Sequence, residues 1–299
     1  MLQTDNLLSP KDLAVAIGAS ESSLKRWIDR GLLDVSRTAG GHRRVAVSEA
    51  IRFVRSRKMP IIQPEILGLP ASVGVESRVP KESTGSPNER FSALLQAGHD
   101  VGARAHLLNR FMAGETISEL ADGPIRTSMI EIGEMWHDSV EGILIEHRAT
   151  EICVELIQEL KTLSQPVSPR FRSIGGAIDE DVYKLPPLLA SAVLQEHGIQ
   201  AVNLGPNTPI PVFEIACLCD DLEQRPDLVW MSVNSLPELA MNREAIERFA
   251  TRCASEGITC VIGGRHAAEL DLSHVPSVEV HRSMQEFSTF LERFKAARI

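Results

Sequence analysis

Three spacings of apolar residues follow one another along the chain. In the first, Leu13, Val15 and Ile17 precede Leu24, Trp27 and Ile28, at helical intervals broken by Gly18-Ala19-Ser20. Ser9-Pro10 predicts the start of one helix. Ser22 is expected to cap a second, SSLKRWIDRG, which ends at Gly31. Gly40-Gly41 supplies a hairpin tip, and Ser48 is expected to cap a third helix, SEAIRFVRSRK. Two helices about a turn apart with a hairpin behind them predict a winged helix-turn-helix over residues 1–58.

Residues 59–87 carry Pro60, Pro64, Pro70, Pro80 and Pro87 and read as a linker. Over 88–165 the helical period returns: Phe91, Leu94, Leu95 and Val101, then Leu107, Leu108 and Phe111, then Ile117, Leu120, Ile125, Met129 and Ile132, then Ile145, Ile152, Val154, Leu156 and Ile157. Asp100 and Thr116 are expected N-caps, and four short helices predict a four-helix bundle. From 170 to 299 short apolar runs (SIGGAI, IQAVNLG, DLVWMSV, ITCVIGG, PSVEVHR) alternate with helical stretches. That alternation predicts a Rossmann-like, doubly wound parallel sheet, so the expected class is multidomain α/β.

Charge sharpens the division. The chain of 299 residues has a formal charge of −9, yet residues 1–60 hold 11 Lys and Arg against 6 Asp and Glu, while the rest hold 20 against 34. A basic head on an acidic body predicts a polyanionic partner for the head. No apolar run is long enough to span a bilayer and the first ten residues do not read as a signal peptide, so a cytoplasmic protein without a membrane partner is expected. The five cysteines, with C217-x-C219 as the close pair, read as reduced buried thiols and not as a metal site.

Within the head, SPKDLA, SSLKRWIDRGLL and TAGGHRR resemble the DNA-binding domain of the MerR family of transcription regulators. The resemblance implies that Ser23, Lys25 and Arg26 address the major groove and its phosphates. It gives Arg37, His42, Arg43 and Arg44 to the backbone or minor groove. Cationic side chains that neutralise phosphates, and a helix that fits the major groove, agree with it. Paired half-sites imply a homo-oligomer on double-stranded DNA.

The body resembles the cobalamin sensor of CarH-type light regulators. Trp136 is followed after nine residues by Glu146-His147, and His137 matches a further histidine. By this resemblance the indole packs on the upper corrin face and the Glu and His enclose the upper axial group. LGPNTP at 204–209 and Ser232, followed at a distance by Gly263-Gly264, resemble the cobalamin-binding domain of the same proteins. Their D-x-H-x-x-G motif, whose His is the lower axial ligand, falls on Asp181 to Pro186. Asp181 matches, Tyr183 stands where the His belongs, and Pro186 replaces the Gly. A phenol with an ordinary pKa near 10 is a poor cobalt ligand.

Three readings stay open for the body. Cobalamin binds without a lower protein ligand. Another tetrapyrrole binds, such as a haem held by Tyr183 with His137 or His147. Or the ligand site is vestigial and a small molecule or protein partner supplies the signal. His197 lies a helix away, at that helix's C-terminal end, and does not replace the missing imidazole; His99, His106, His266, His274 and His281 lack ligand spacing. The chain carries no nucleotide fingerprint, P-loop or nucleophile elbow, and an enzyme is not expected. The functional expectation is a sequence-specific transcription regulator with a C-terminal sensor.

Overall fold

The computed structural model describes residues 7–74, 86–136, 139–219, 221, 224–235, 239–272, 274–275 and 278–298. Its elements run β1 (Leu7–Leu8), α1 (Pro10–Ile17), α2 (Glu21–Asp29), β2 (Ser36–Arg37), β3 (Arg43–Ala46), α3 (Val47–Ser56), α4 (Pro87–Gln96), α5 (Asp100–Met112), α6 (Ile117–Leu120), α7 (Arg126–Met135) and α8 (Val140–Leu163). They continue with β4 (Phe171–Ala177), α9 (Leu185–Glu196), β5 (Ile199–Asn203), α10 (Ile210–Cys217), β6 (Leu228–Ser232), α11 (Leu239–Ser255), β7 (Thr259–Gly263), β8 (Val278–His281) and α12 (Met284–Ala296). The chain forms two compact units.

The first unit takes residues 1–116, 123–152 and 162–167. Here α1 opens with a capping box: Ser9 Oγ accepts from the Asp12 amide, and the Asp12 carboxylate accepts from the Ser9 amide at 3.1 Å. The next cap is Ser20, whose Oγ accepts from the Ser23 amide; Ser22, the expected cap, lies in the first turn of α2. Likewise α3 starts at Val47 without a side-chain cap, so Ser48 is already helical. His99 Nδ1 takes the place expected of Asp100 by accepting from the Gly102 amide at 2.8 Å. The antiparallel sheet β1-β3-β2 joins the chain start to the hairpin, with Ser36 opposite Arg44.

The proline-rich stretch differs from a free linker up to Gly74. Pro64–Leu67 forms a 3-10 turn, Leu67, Leu69 and Val73 are buried, and the Gly74 amide donates to Asn109 Oδ1 at 2.7 Å. Proline density predicted the lack of an α-helix; the leucines spaced between the prolines supply the burial. Residues 75–85 lie outside the described residues. Arg55 of α3 fastens to the end of α5. Its Nε donates to the Phe111 carbonyl and its Nη2 to the Glu115 carbonyl, both at 2.8 Å, and its guanidinium lies 3.5 Å from the Phe111 ring centroid. The four expected helices are of unequal length: α8 alone has 24 residues.

The second unit takes residues 117–122, 153–161 and 168–299. Its sheet is parallel throughout, in the order β5-β4-β6-β7-β8. Strands buried on both faces read as near-continuous apolar runs, which is why the sequence discloses them. Val229, Met231 and Val233 point to one face, where they meet Phe213 and Cys217 of α10 and Phe249 and Cys253 of α11. The alternate residues point to the other face, where α9 packs on β4, β5 and β6 and α12 packs on α9. Burial pushes the Cys217 thiol up to about 12, as it does that of Cys153, and makes both unreactive near neutrality. Among the described residues no helix is long and apolar enough to cross a membrane.

Asp122, just beyond α6, holds the start of α12. Its two carboxylate oxygens accept from the amides of Met284 (3.0 Å) and Gln285 (2.9 Å), groups that have no partner inside the helix. Asp122→Ala should therefore cost about 1 kcal/mol of unfolding free energy, the usual worth of an N-terminal cap. Equilibrium urea unfolding checks this, with an unchanged midpoint as the contrary result.

Candidate functional site

The sheet order places a topological switch between β4 and its neighbours β5 and β6, since the chain leaves β4 to opposite sides. Ligands of open α/β sheets bind at the carboxyl ends of strands at such a point. Asp181, Tyr183, Ser232, Gly263 and Gly264 are brought together on this edge, as expected from their spacing.

Asp181 organises the edge. It is 0% exposed. Its Oδ2 accepts from the Asn234 amide at 2.6 Å and from Asn234 Nδ2 at 3.2 Å, and its Oδ1 accepts from the Tyr183 amide at 3.1 Å. Its backbone carbonyl accepts from the Asn207 amide at 2.8 Å. The loops after β4, β5 and β6 are thus tied to one residue. Ile178 donates to the Ser232 carbonyl and Val233 to the Gly263 carbonyl, which ties β7 as well. Gly264 follows with φ of +115°, packed so tightly on the Val233 backbone that a Cβ would overlap it. Burial pushes the Asp181 carboxyl above the usual carboxylate range, against the opposing pull of the Asn234, Tyr183 and Ser235 hydrogen bonds.

Tyr183 occupies the loop position expected, and it is 54% exposed. Deeper between the strands stands a residue that sequence reasoning missed. Trp230 of β6 is 2% exposed and lies in register with Gly175 of β4. A Cβ on Gly175 would overlap ring atoms Cδ2 and Cε2 of that indole. The absent side chain makes room for the ring. Nε1 of Trp230 is buried without a hydrogen-bond partner among the described residues.

In the first unit, Trp136 closes α7 and is 45% exposed. Gly142 brings the first turn of α8 against the end of α7, since a Cβ there would overlap the Met135 carbonyl. Further along α8, Glu146 Oε1 accepts from Thr150 Oγ1 at 2.8 Å, and Glu146 Oε2 lies 3.1 Å from Nδ1 of the exposed His147. The same Nδ1 is 2.9 Å from the Ile143 carbonyl. Only a donor satisfies that carbonyl, so in the neutral ring Nδ1 carries the proton and Nε2 the lone pair. His137 lies outside the described residues.

The residues expected to meet nucleic acid divide into two sets. Lys25 and Arg26 on α2, and Arg37 and His42 around the hairpin tip, are exposed. Ser23 is half-buried and bonded to Ser20. Arg43 is half-buried in an ion pair with Asp29 at 2.8 Å, which ties the hairpin to α2; Arg44 beside it is also half-buried.

The second unit thus has a doubly wound α/β fold of Rossmann type. No family model matches the chain, and no curated protein matches it. Among solved structures, the monomethylamine corrinoid protein of Methanosarcina barkeri is similar with a TM-score of 0.51 at 15% identity, over 68% of this chain and 95% of that one. A cobalamin-binding protein from Desulfitobacterium hafniense DCB-2 gives 0.34 at 17% identity, over 70% and 98%. The methanol:cobalamin methyltransferase complex of Methanosarcina barkeri gives 0.36 at 13% identity, over 79% and 89%. The first of these shares the fold.

The residues of the sheet edge do not fit a corrinoid held from below by the protein. Such a ligand needs an imidazole on the loop after β4 and room between the strands. The loop offers an exposed phenol, and the space between β4 and β6 holds an indole.

Asp181 gives a pH signature. Its folded-state value lies above the unfolded one, so its contribution to stability is complete below the unfolded range near 4 and is lost as pH rises through the folded value. The unfolding free energy of the native protein should therefore fall relative to that of Asp181→Asn as pH is raised from about 4 to 7. Urea unfolding across that interval checks it; a difference that stays constant with pH contradicts the assignment.

Proposed function

We propose that the chain is a sequence-specific DNA-binding transcription regulator. Its head acts as a winged helix-turn-helix of MerR type. Its C-terminal module, with the fold of corrinoid proteins, serves as a sensor and not as an enzyme. The observation that carries this reading is the exposed cationic surface of α2 and the adjoining hairpin. Lys25, Arg26 and Arg37 extend from it, and the Arg43–Asp29 pair fixes the hairpin against the helix. A helix presents a row of side chains to the major groove, while a hairpin beside it reaches the flanking backbone. The working form is a homo-oligomer on double-stranded DNA in the cytoplasm. The fold likeness to a corrinoid protein supports a tetrapyrrole-type sensor, and the Trp136, Glu146 and His147 set supports a ligand approached from its upper side.

A second reading has its own support. The satisfied Asp181 carboxylate and the filled space beside Gly175 favour a module that has lost its ligand and answers to a protein partner. Visible absorption after incubation with adenosylcobalamin, and separately with haem, decides between them. A bound chromophore lost in Trp136→Ala supports the sensor; a colourless protein supports the partner.

The head is tested by fluorescence anisotropy on labelled duplex DNA at several salt concentrations. Lys25→Ala with Arg26→Ala should weaken binding and flatten the log–log salt slope by about 2, one for each lost phosphate contact. Arg43→Ala should weaken binding with a smaller change of slope, because it frees the hairpin. Binding unchanged in both variants overturns the DNA assignment.

A further inference from the structure

The small residues at the carboxyl end of the α9-facing side of the sheet form a series. Gly175 and Ala177 on β4, Ser232 on β6 and Gly263 on β7 follow the two-residue alternation on that side. A row of such residues across three neighbouring strands leaves little side-chain volume on that face of the sheet. Trp230 is the exception, and it stands in register with Gly175. Its ring reaches over the neighbouring strand to the place a Gly175 side chain would take. Nothing polar explains it there, because the indole N–H has no partner among the described residues. Burying an unpaired donor carries a penalty, so what the residue contributes here is apolar volume.

We infer that Trp230 is a specificity-determining residue: its indole occupies the slot between β4 and β6 where a flat aromatic ligand tail would insert, and it makes the module indifferent to that tail. This rests on the reading of the second unit as a corrinoid-type module. Cobalamin carries such a tail, a dimethylbenzimidazole nucleotide, whose bicyclic base is close to indole in size and shape. With the slot filled, a corrinoid is recognised by its ring and upper face, and its lower nucleotide stays outside the sheet. The strap from Asp181 to Asn234 reinforces the exclusion, because it ties together the two loops between which the tail would pass.

The first arm of the test needs no corrinoid. Trp230→Ala should lower Tm by roughly 10 °C by opening an indole-sized cavity. Millimolar 5,6-dimethylbenzimidazole should restore about 3 °C or more of that loss. The native protein and Trp230→Phe, whose slots stay filled, should not respond. Should the Ala variant fail to fold, Trp230→Leu, which frees most of the ring's volume and keeps an apolar floor, takes its place with the same expectation. A native protein stabilised by the free base, or a folded small-residue variant that ignores it, overturns the inference.

The second arm compares cobalamin with cobinamide, which lacks the nucleotide, by absorption titration. The native protein should bind both within about twofold, and Trp230→Ala should prefer cobalamin by about tenfold or more. A native preference of that size for cobalamin overturns the inference. If neither corrinoid binds any variant while the free base still rescues Trp230→Ala, the sensor reading fails and the filled slot stands.

Discussion

A single buried carboxylate sets the geometry on which everything at the sheet edge depends. Asp181 is fully buried, and its carboxyl oxygens accept from amide donors of its own loop and of the loop after β6. Removing that acceptor would strand every one of these donors at once. The loops after β4 and β6 are thus joined through one side chain, and the loop after β5 through the backbone carbonyl of the same residue. This fixes the path of residues 181–184 and leaves Tyr183 exposed. It also fixes Asn234, whose amide and side-chain nitrogens both donate to Asp181.

Gly175 and Trp230 depend on one another physically, because a Cβ in register with Trp230 would overlap its ring.

Much of this was legible in the sequence, for identifiable reasons. Parallel strands buried on both faces leave apolar runs that helices interrupt regularly, and all five runs are strands of one parallel sheet. The place of Asp181 and Tyr183 on the loop after β4 is legible because a motif fixes their spacing from the Gly205 turn. Trp230 was not found, because an aromatic residue in a buried run looks like ordinary core. Its meaning lies in the register with Gly175, and register between strands more than fifty residues apart is not written in either strand. The helix starts failed by a different route. Ser20, Ser22 and Ser23 are chemically equivalent caps, and the backbone conformation at Ser20 decides among them. In the stretch up to Gly74 the prolines exclude an α-helix, while burial depends on the leucines between them, which proline density does not register.

The same stretch bears on how a signal could reach the head. A free tether would let residues 7–57 sample any orientation, and a change in the body would act on them only through local concentration. The contacts of Arg55 argue for a stiffer arrangement. Its guanidinium donates to the carbonyls of Phe111 and Glu115 and covers the Phe111 ring. Two residues beyond Glu115 the chain enters the second unit, where the Ile117 amide donates to Glu196 of α9 and Asp122 caps α12.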